Sequence, residues 1–249
     1  MRATKNKTNV QQLGEAEAVF RRALELFVEH ARGALAERGS FYVAVSGGHT
    51  PSRFFELLGS DKSSRDLGWE NIQLFWVDER CVPPEARESN YRLAAESFLP
   101  KVGIPAANVH RIHGECCDYG SEAREYEATI RKVFGVGRTR IPEFDLIILG
   151  MGKEGHTGSL FPDSYAVYDT EDLVCVVYQM DGLNRITLTH PVLKAARRLI
   201  ILVTGTEKSG ILKEVFENEA DEARYPIHAL WPALDRITWL VDKEAARFL

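Results

Sequence analysis

Cysteine is scarce in this 249-residue chain, neither sign of charge dominates, and no apolar run is long. Each shortage removes a class of protein. The four cysteines, Cys81, the adjacent Cys116 and Cys117, and Cys175, have no C-x-x-C spacing and build no disulfide-dense framework, which fits a reducing cytosol. A net charge of −5 argues against a nucleic-acid partner, whose backbone is held mainly by clustered Lys and Arg, so any positive site must be local. No segment reaches the roughly 18 apolar residues of a membrane span, and the polar start MRATKNKTNVQQLGEAEAV has no apolar run of the kind a secretory signal needs. A soluble, cytoplasmic protein without a membrane partner is expected, as a monomer or small homo-oligomer. No Pro/Gly/Ser-rich linker, repeat or low-complexity tract divides the chain. One domain over 1–249, with a polar lead-in at about 1–12, is the simplest organisation.

Hydrophobic periodicity supplies the architecture. Ala18, Phe20, Leu24, Phe27, Val28, Ala31 and Leu35 recur at helical spacing with Arg22, Glu25 and Glu29 between them, which predicts a long amphipathic helix ending near Gly39. Four apolar runs follow at intervals too wide for hairpins: FYVAV from Phe41, IQLFWV from Ile72, FDLIIL from Phe144 and LIILV from Leu199. They read as buried parallel strands. Helical patterns alternate with them at PSRFFELL from Pro51, NYRLAAESFL from Asn90, SEAREYEATIRKVF from Ser121 and EKSGILKEVFENE from Glu207. Strand alternating with helix predicts an α/β fold with a doubly wound, mostly parallel sheet flanked by helices. LVCVVY from Leu173, RITLT from Arg185 and ITWLV from Ile237 are further strand candidates. Ligands of such sheets bind beyond the carboxyl ends of the strands, so chemistry is sought in the segments that follow them.

After FYVAV comes Ser46-Gly47-Gly48-His49-Thr50-Pro51, leading into a helix. Two glycines allow close backbone approach, Thr50 can cap, and Pro51 suits the first helical position. The segment reads either as a tight turn or as a phosphate cradle at a helix start, and it lacks the Walker pattern. After IQLFWV, Asp78-Glu79-Arg80 reads either as solvated charge or as a carboxylate and a guanidinium at the sheet's mouth. Ser89-Asn90 reads as a helix cap.

After FDLIIL, the glycine-dense GMGKEGHTGSLFP holds a formal G-x-G-x-x-G. Pro162 interrupts any helix there, and Asp169, Glu171 and Asp172 precede the next strand instead of closing it, so a dinucleotide site is rejected. The loop instead presents His156, with Glu154 two residues away. An imidazole of ordinary pKa, about 6.5, takes a proton from water at neutral pH and returns it to a leaving oxygen. Arg185, at the start of RITLT, and Lys208, in GTEKS, add cations able to hold an anion.

Other constellations carry less. In VHRIHGE, read as a strand, His110 and His113 face opposite ways, so no metal is expected between them and Cys116. Neither Ser46 nor Ser159 sits in a G-x-S-x-G elbow.

Taken together and in order, SGGHTP, FWVDERCVPPEARESNYRLA, FDLIILGMGKEGHTGSLFP, NRITLTHPVL and GTEKSGIL resemble the 6-phosphogluconolactonases, from about Phe41 to Val241. The resemblance implies a Rossmann-like fold related to glucosamine-6-phosphate isomerase/deaminase, no metal or other cofactor, and a phosphorylated sugar lactone as substrate. It implies that His156 is the catalytic histidine, that Gly47, Gly48, His49 and Thr50 form the phosphate loop, that Arg80 contacts substrate, and that Arg185 and Lys208 bind phosphate. Glu154 stands where that family usually has Asp, Gly158 where Ala is common, and His49 where Ser is frequent. Asp78 is expected to orient water or a sugar hydroxyl. The deaminase branch carries isoleucine after the histidine and then A-F-N-E-P, whereas T-G-S-L-F-P here favours the lactonases. An amino-sugar phosphate deaminase and a non-catalytic sugar-phosphate sensor are the rival expectations.

Overall fold

The four apolar runs have no solvent face to spare, and all four are strands of one parallel sheet. In chain order, the computed structural model has β1 (Val10–Leu13), α1 (Ala16–Arg38), β2 (Phe41–Val45), α2 (His49–Ser60), α3 (Lys62–Arg65), β3 (Ile72–Trp76), β4 (Asp78–Arg80), α4 (Asn90–Ser97) and α5 (Leu99–Val102). It continues with β5 (Val109–His110), α6 (Tyr119–Phe134), β6 (Leu146–Gly150), β7 (Val174–Val177), β8 (Arg185–Leu188), α7 (His190–Ala195), β9 (Leu199–Val203), α8 (Ser209–Glu217) and β10 (Ile237–Asp242). Residues 9–180 and 182–249 are described, His49 and Thr50 by backbone alone. The lead-in up to residue 8, Asp181 of the expected turn, and the side chains of His49 and Thr50 therefore lie outside the described residues.

Seven strands pair in the order β1-β10-β9-β6-β2-β3-β5, every pair parallel. From β2 the chain winds one way, to β3 and β5. From β6 it winds the other, to β9 and β10. The crossover lies between neighbouring β2 and β6, where the segments leaving the two strands diverge and open a crevice at their carboxyl ends. The expected fold is thus observed.

Helices cover both faces of the sheet. α1 buries Val19, Phe20, Ala23, Leu24, Phe27, Val28, Ala31 and Ala34 at helical spacing, and it ends at Gly39, whose φ of 71° lets its N–H reach the Leu35 carbonyl. Phe27 meets Phe41 edge-on at 5.6 Å and stacks near Trp69 at 6.0 Å. A second aromatic cluster joins Phe75, Phe134 and Phe144, with Phe75–Phe144 at 5.3 Å and Phe134–Phe144 at 4.8 Å. Beside it the buried Tyr126 hydroxyl accepts from the Trp76 N–H at 2.9 Å and donates to the Trp76 carbonyl at 2.8 Å.

Three expectations need correction. Val10–Leu13 is a strand, so the polar lead-in stops short of 12; the edge register Val10↔Trp239 to Leu13↔Asp242 supplies backbone hydrogen bonds that local composition does not signal. Asp78–Arg80, expected as charged residues trailing the IQLFWV strand, is itself a strand. It pairs antiparallel with β8, which pairs antiparallel with β7, so RITLT and LVCVVY form a separate three-stranded sheet. The strand read at VHRIHGE is only Val109–His110, so the two histidines do not share a strand. His110 instead meets Gln73 through Nε2 at 2.7 Å, and His113 meets Glu122 through Nδ1 at 3.1 Å. Among the described residues no three His, Cys, Asp or Glu are grouped to hold a metal ion, and no helix is long and apolar enough to cross a membrane.

Candidate active site

Three segments meet at the crevice between β2 and β6. The first leaves β2 as Ser46-Gly47-Gly48. A Cβ on Gly47 would lie 1.9 Å from Asn90 Oδ1, so the residue must be glycine for the turn to pack against the start of α4. Gly48, at φ 100°, occupies the cap position of α2, which begins at His49. Thr50 is therefore inside the first turn and not at the cap, and Pro51 is the third helical residue, where its missing N–H still costs no helical bond.

The second segment is β4. Asp78, 7% exposed, accepts a 2.7 Å hydrogen bond from Ser159 Oγ through Oδ2, which ties β4 to the histidine loop. Glu79, 2% exposed, accepts from the N–H groups of Arg80, Asn90 and Tyr91 at 2.7–2.8 Å and from Ser89 Oγ at 3.0 Å. Burial pushes its carboxyl above the ordinary range, against those hydrogen bonds. Glu79 thus clamps the start of α4 to β4, with Ser89 at the cap accepting from the Arg92 N–H. Arg80 faces Arg185 across the β4–β8 pairing, and its Nη1 donates to the Glu88 carbonyl.

The third segment follows β6. No helix follows its glycines; the chain turns tightly, the Gly152 N–H donating to the His156 carbonyl at 2.8 Å. The His156 ring folds back over Gly152, where a Cβ would lie 2.0 Å from Cε1, and packs against Phe161 at 4.4 Å between ring centres. Its side chain is 20% exposed, and Nδ1 lies 3.0 Å from Oε2 of Glu154, which is 62% exposed. Burial pulls the imidazole below its ordinary pKa, while Glu154 pulls it back up less strongly. A neutral ring donating from Nδ1 to that carboxylate keeps its lone pair on Nε2, the form a general base needs. The cleft also takes Lys208, the cap residue of α8, whose ammonium burial pulls down while Glu207 pulls it up.

A cleft of about 580 Å³ is lined by Gly47, Gly48, Asp78, Arg80, Glu154, His156 and Lys208, with Ser46 and Lys153 among the rest. An adjoining lobe of about 440 Å³ shares Gly48 and Arg80 and adds Arg185. Of the residues expected from sequence and described by side chain, only Arg185 lies outside the histidine cleft, across Arg80 from it. Asn90, Lys153 and the Ser159–Asp78 tie were not anticipated. Asn90 resembled an ordinary helix start, and the Ser159 contact joins residues 81 positions apart. Chemically, the arrangement offers a mostly buried imidazole beside an exposed carboxylate and several cations for an anionic ligand. A larger cleft, about 840 Å³, lies at the opposite ends of the strands, where Arg38 and Arg197 are spent on Asp145 and Glu143.

A family model described as glucosamine-6-phosphate isomerases/6-phosphogluconolactonase matches residues 14–239. The chain is 38% identical over 240 residues to a 6-phosphogluconolactonase of Synechocystis, with 96% of this chain and 98% of that one covered. Among solved structures, a 6-phosphogluconolactonase from Trypanosoma cruzi is similar at a TM-score of 0.82 and 26% identity, over 97% of this chain and 96% of that one. A monomeric glucosamine-6-phosphate deaminase is similar at 0.83 and 18% identity, over 97% of this chain and all of that one, a likeness of fold alone.

Proposed function

The chain belongs to the glucosamine-6-phosphate isomerase/6-phosphogluconolactonase family, and we propose that it works with His156 as the general base. The reaction is hydrolysis of 6-phosphogluconolactone, the activity its curated relatives are named for. The phosphate sits over the Gly48 turn, within reach of His49 and Thr50, with Lys208 approaching from one side and Arg185 from the other. Binding at that remote end orients the ring carbonyl, C1, toward His156. His156 removes a proton from water as the oxygen attacks C1. Arg80 or backbone N–H groups balance the charge on the carbonyl oxygen, and the protonated imidazole then gives its proton to the departing ring oxygen. Glu154 orients the imidazole and stabilises its protonated form. Asp78, fixed by Ser159, orients the water or a sugar hydroxyl. The product is 6-phosphogluconate.

The observation carrying this reading is the 3.0 Å His156–Glu154 contact in a cleft shared with the Gly47-Gly48 turn and Lys208. The reading needs no metal, nucleic acid or membrane, and the four free cysteines suit a cytosolic setting. Two assays test the chemistry together: lactone hydrolysis with the spontaneous rate subtracted, and ammonia release from glucosamine 6-phosphate. Catalysed hydrolysis without ammonia is expected. Ammonia release, or ligand binding without turnover, overturns the reading.

A further inference from the structure

We propose that Arg87 is a substrate-binding residue, the guanidinium that completes an arginine lobe with Arg80 and Arg185 and sets affinity for the phosphate end of the substrate. The proposal rests on the lactonase reading and adds a residue that no motif marks.

The lobe beside the histidine cleft is lined by three arginines and, among the described residues, by one carboxylate, that of Glu88. None of the three guanidiniums forms an ion pair with a described carboxylate. Other arginines of the chain do form such pairs, Arg92 with Glu96, Arg111 with Glu115, and Arg53 with Glu17 and Glu56; what distinguishes the lobe is that three without one line a single space. Among the described residues the guanidiniums of Arg80 and Arg185 hydrogen-bond only to backbone carbonyls, of Glu88 and Leu183, and Arg80 Nε is buried with no partner. Burial and then Arg80 pull the Arg185 guanidinium below its ordinary range, while Asp78 and Glu79 oppose them less strongly. Arg87 and Arg185, which line the lobe but not the histidine cleft, are stabilised together by an anion placed between them, while Arg80 stands at the border that the two spaces share.

The Arg87 side chain is exposed, and the backbone that carries it is held in place. Its turn is fixed by the Ala86 N–H bond to the Pro83 carbonyl at 2.9 Å and the Ser89 N–H bond to the Ala86 carbonyl at 3.0 Å. Arg92 Nη1 donates to the Glu85 carbonyl at 3.0 Å, and Glu79 anchors the far end of the turn. Gly48 lines both the lobe and the histidine cleft, whereas Arg87 lines the lobe and not the cleft that holds His156, so Arg87 is on the side of the Gly48 turn away from the proposed base.

The test compares Arg87→Gln, Arg87→Glu and Arg87→Lys with the unaltered protein, on the phosphorylated lactone and on gluconolactone lacking phosphate. For Arg87→Gln, KM for the phosphorylated lactone should rise roughly three- to tenfold with kcat kept, and the inhibition constant of inorganic phosphate should rise in parallel. Charge reversal should raise both further, and lysine should restore most of the loss. KM for the unphosphorylated lactone should stay put, and raising ionic strength should weaken the unaltered protein more than Arg87→Gln. An unchanged KM for the phosphorylated lactone, or equal effects on both lactones, overturns the role of Arg87. Absence of catalysed hydrolysis by the unaltered protein overturns instead the reading on which it rests.

Discussion

Replacing Gly152 by alanine tests whether the histidine's position matters as the structure implies. The added Cβ would sit 2.0, 2.2 and 2.5 Å from Cε1, Nδ1 and Nε2 of His156. Ordinary contact begins near 3.4 Å, so the ring must retreat by about 1.4 Å. Its partners limit how it does so: Phe161 packs against it, and Glu154 holds Nδ1 at 3.0 Å. Misplacing a catalytic group by about 1 Å costs on the order of 10²-fold in rate, or about 2.7 kcal/mol in the barrier. Because Gly152 is at the cleft, thermal stability should change little while background-subtracted kcat falls by about that factor. A folded Gly152→Ala protein with kcat within about threefold of the original would show that the ring need not sit where it does, and the argument from its fit over Gly152 would be wrong.

Two further substitutions test other links. Since Glu154 favours the protonated imidazole and burial disfavours it, Glu154→Gln should lower the His156 pKa further. The acid limb of the kcat/KM profile, where activity is lost as pH falls through that pKa, should begin below the ordinary histidine value and move lower still in the variant; a limb that moves up would contradict the contact's role. Tyr126→Phe leaves the Trp76 N–H and carbonyl without their hydroxyl partner in a buried strand, and urea denaturation should show a loss of about 1–3 kcal/mol with kcat nearly unchanged.

The parts of the fold visible in the sequence are those enforced locally. FYVAV, IQLFWV, FDLIIL and LIILV are apolar because both faces of a parallel sheet are covered, and α1 carries its buried stripe and its terminal Gly39 in its own residues. The elements that escaped depend on partners distant in the chain. Asp78–Arg80 has a composition that suggests a loop, yet pairing with Arg185–Thr187 makes it a strand. Val10–Leu13 is an edge strand with two glutamines, stabilised by β10 from the other end of the chain. The candidate site was legible as a cluster because its residues follow strand ends at a crossover. Asn90 and Arg87 were not, because each joins the candidate site only when α4 and its preceding turn are brought against the Gly47 turn and Arg80.

The central claim is that His156 carries the proton in lactone hydrolysis. Its most direct test is the background-subtracted kcat of His156→Ala, measured beside its affinity for 6-phosphogluconate. A fall of roughly 10²–10⁴-fold with product affinity nearly intact is the expected result. Turnover equal to that of the unaltered protein would contradict it.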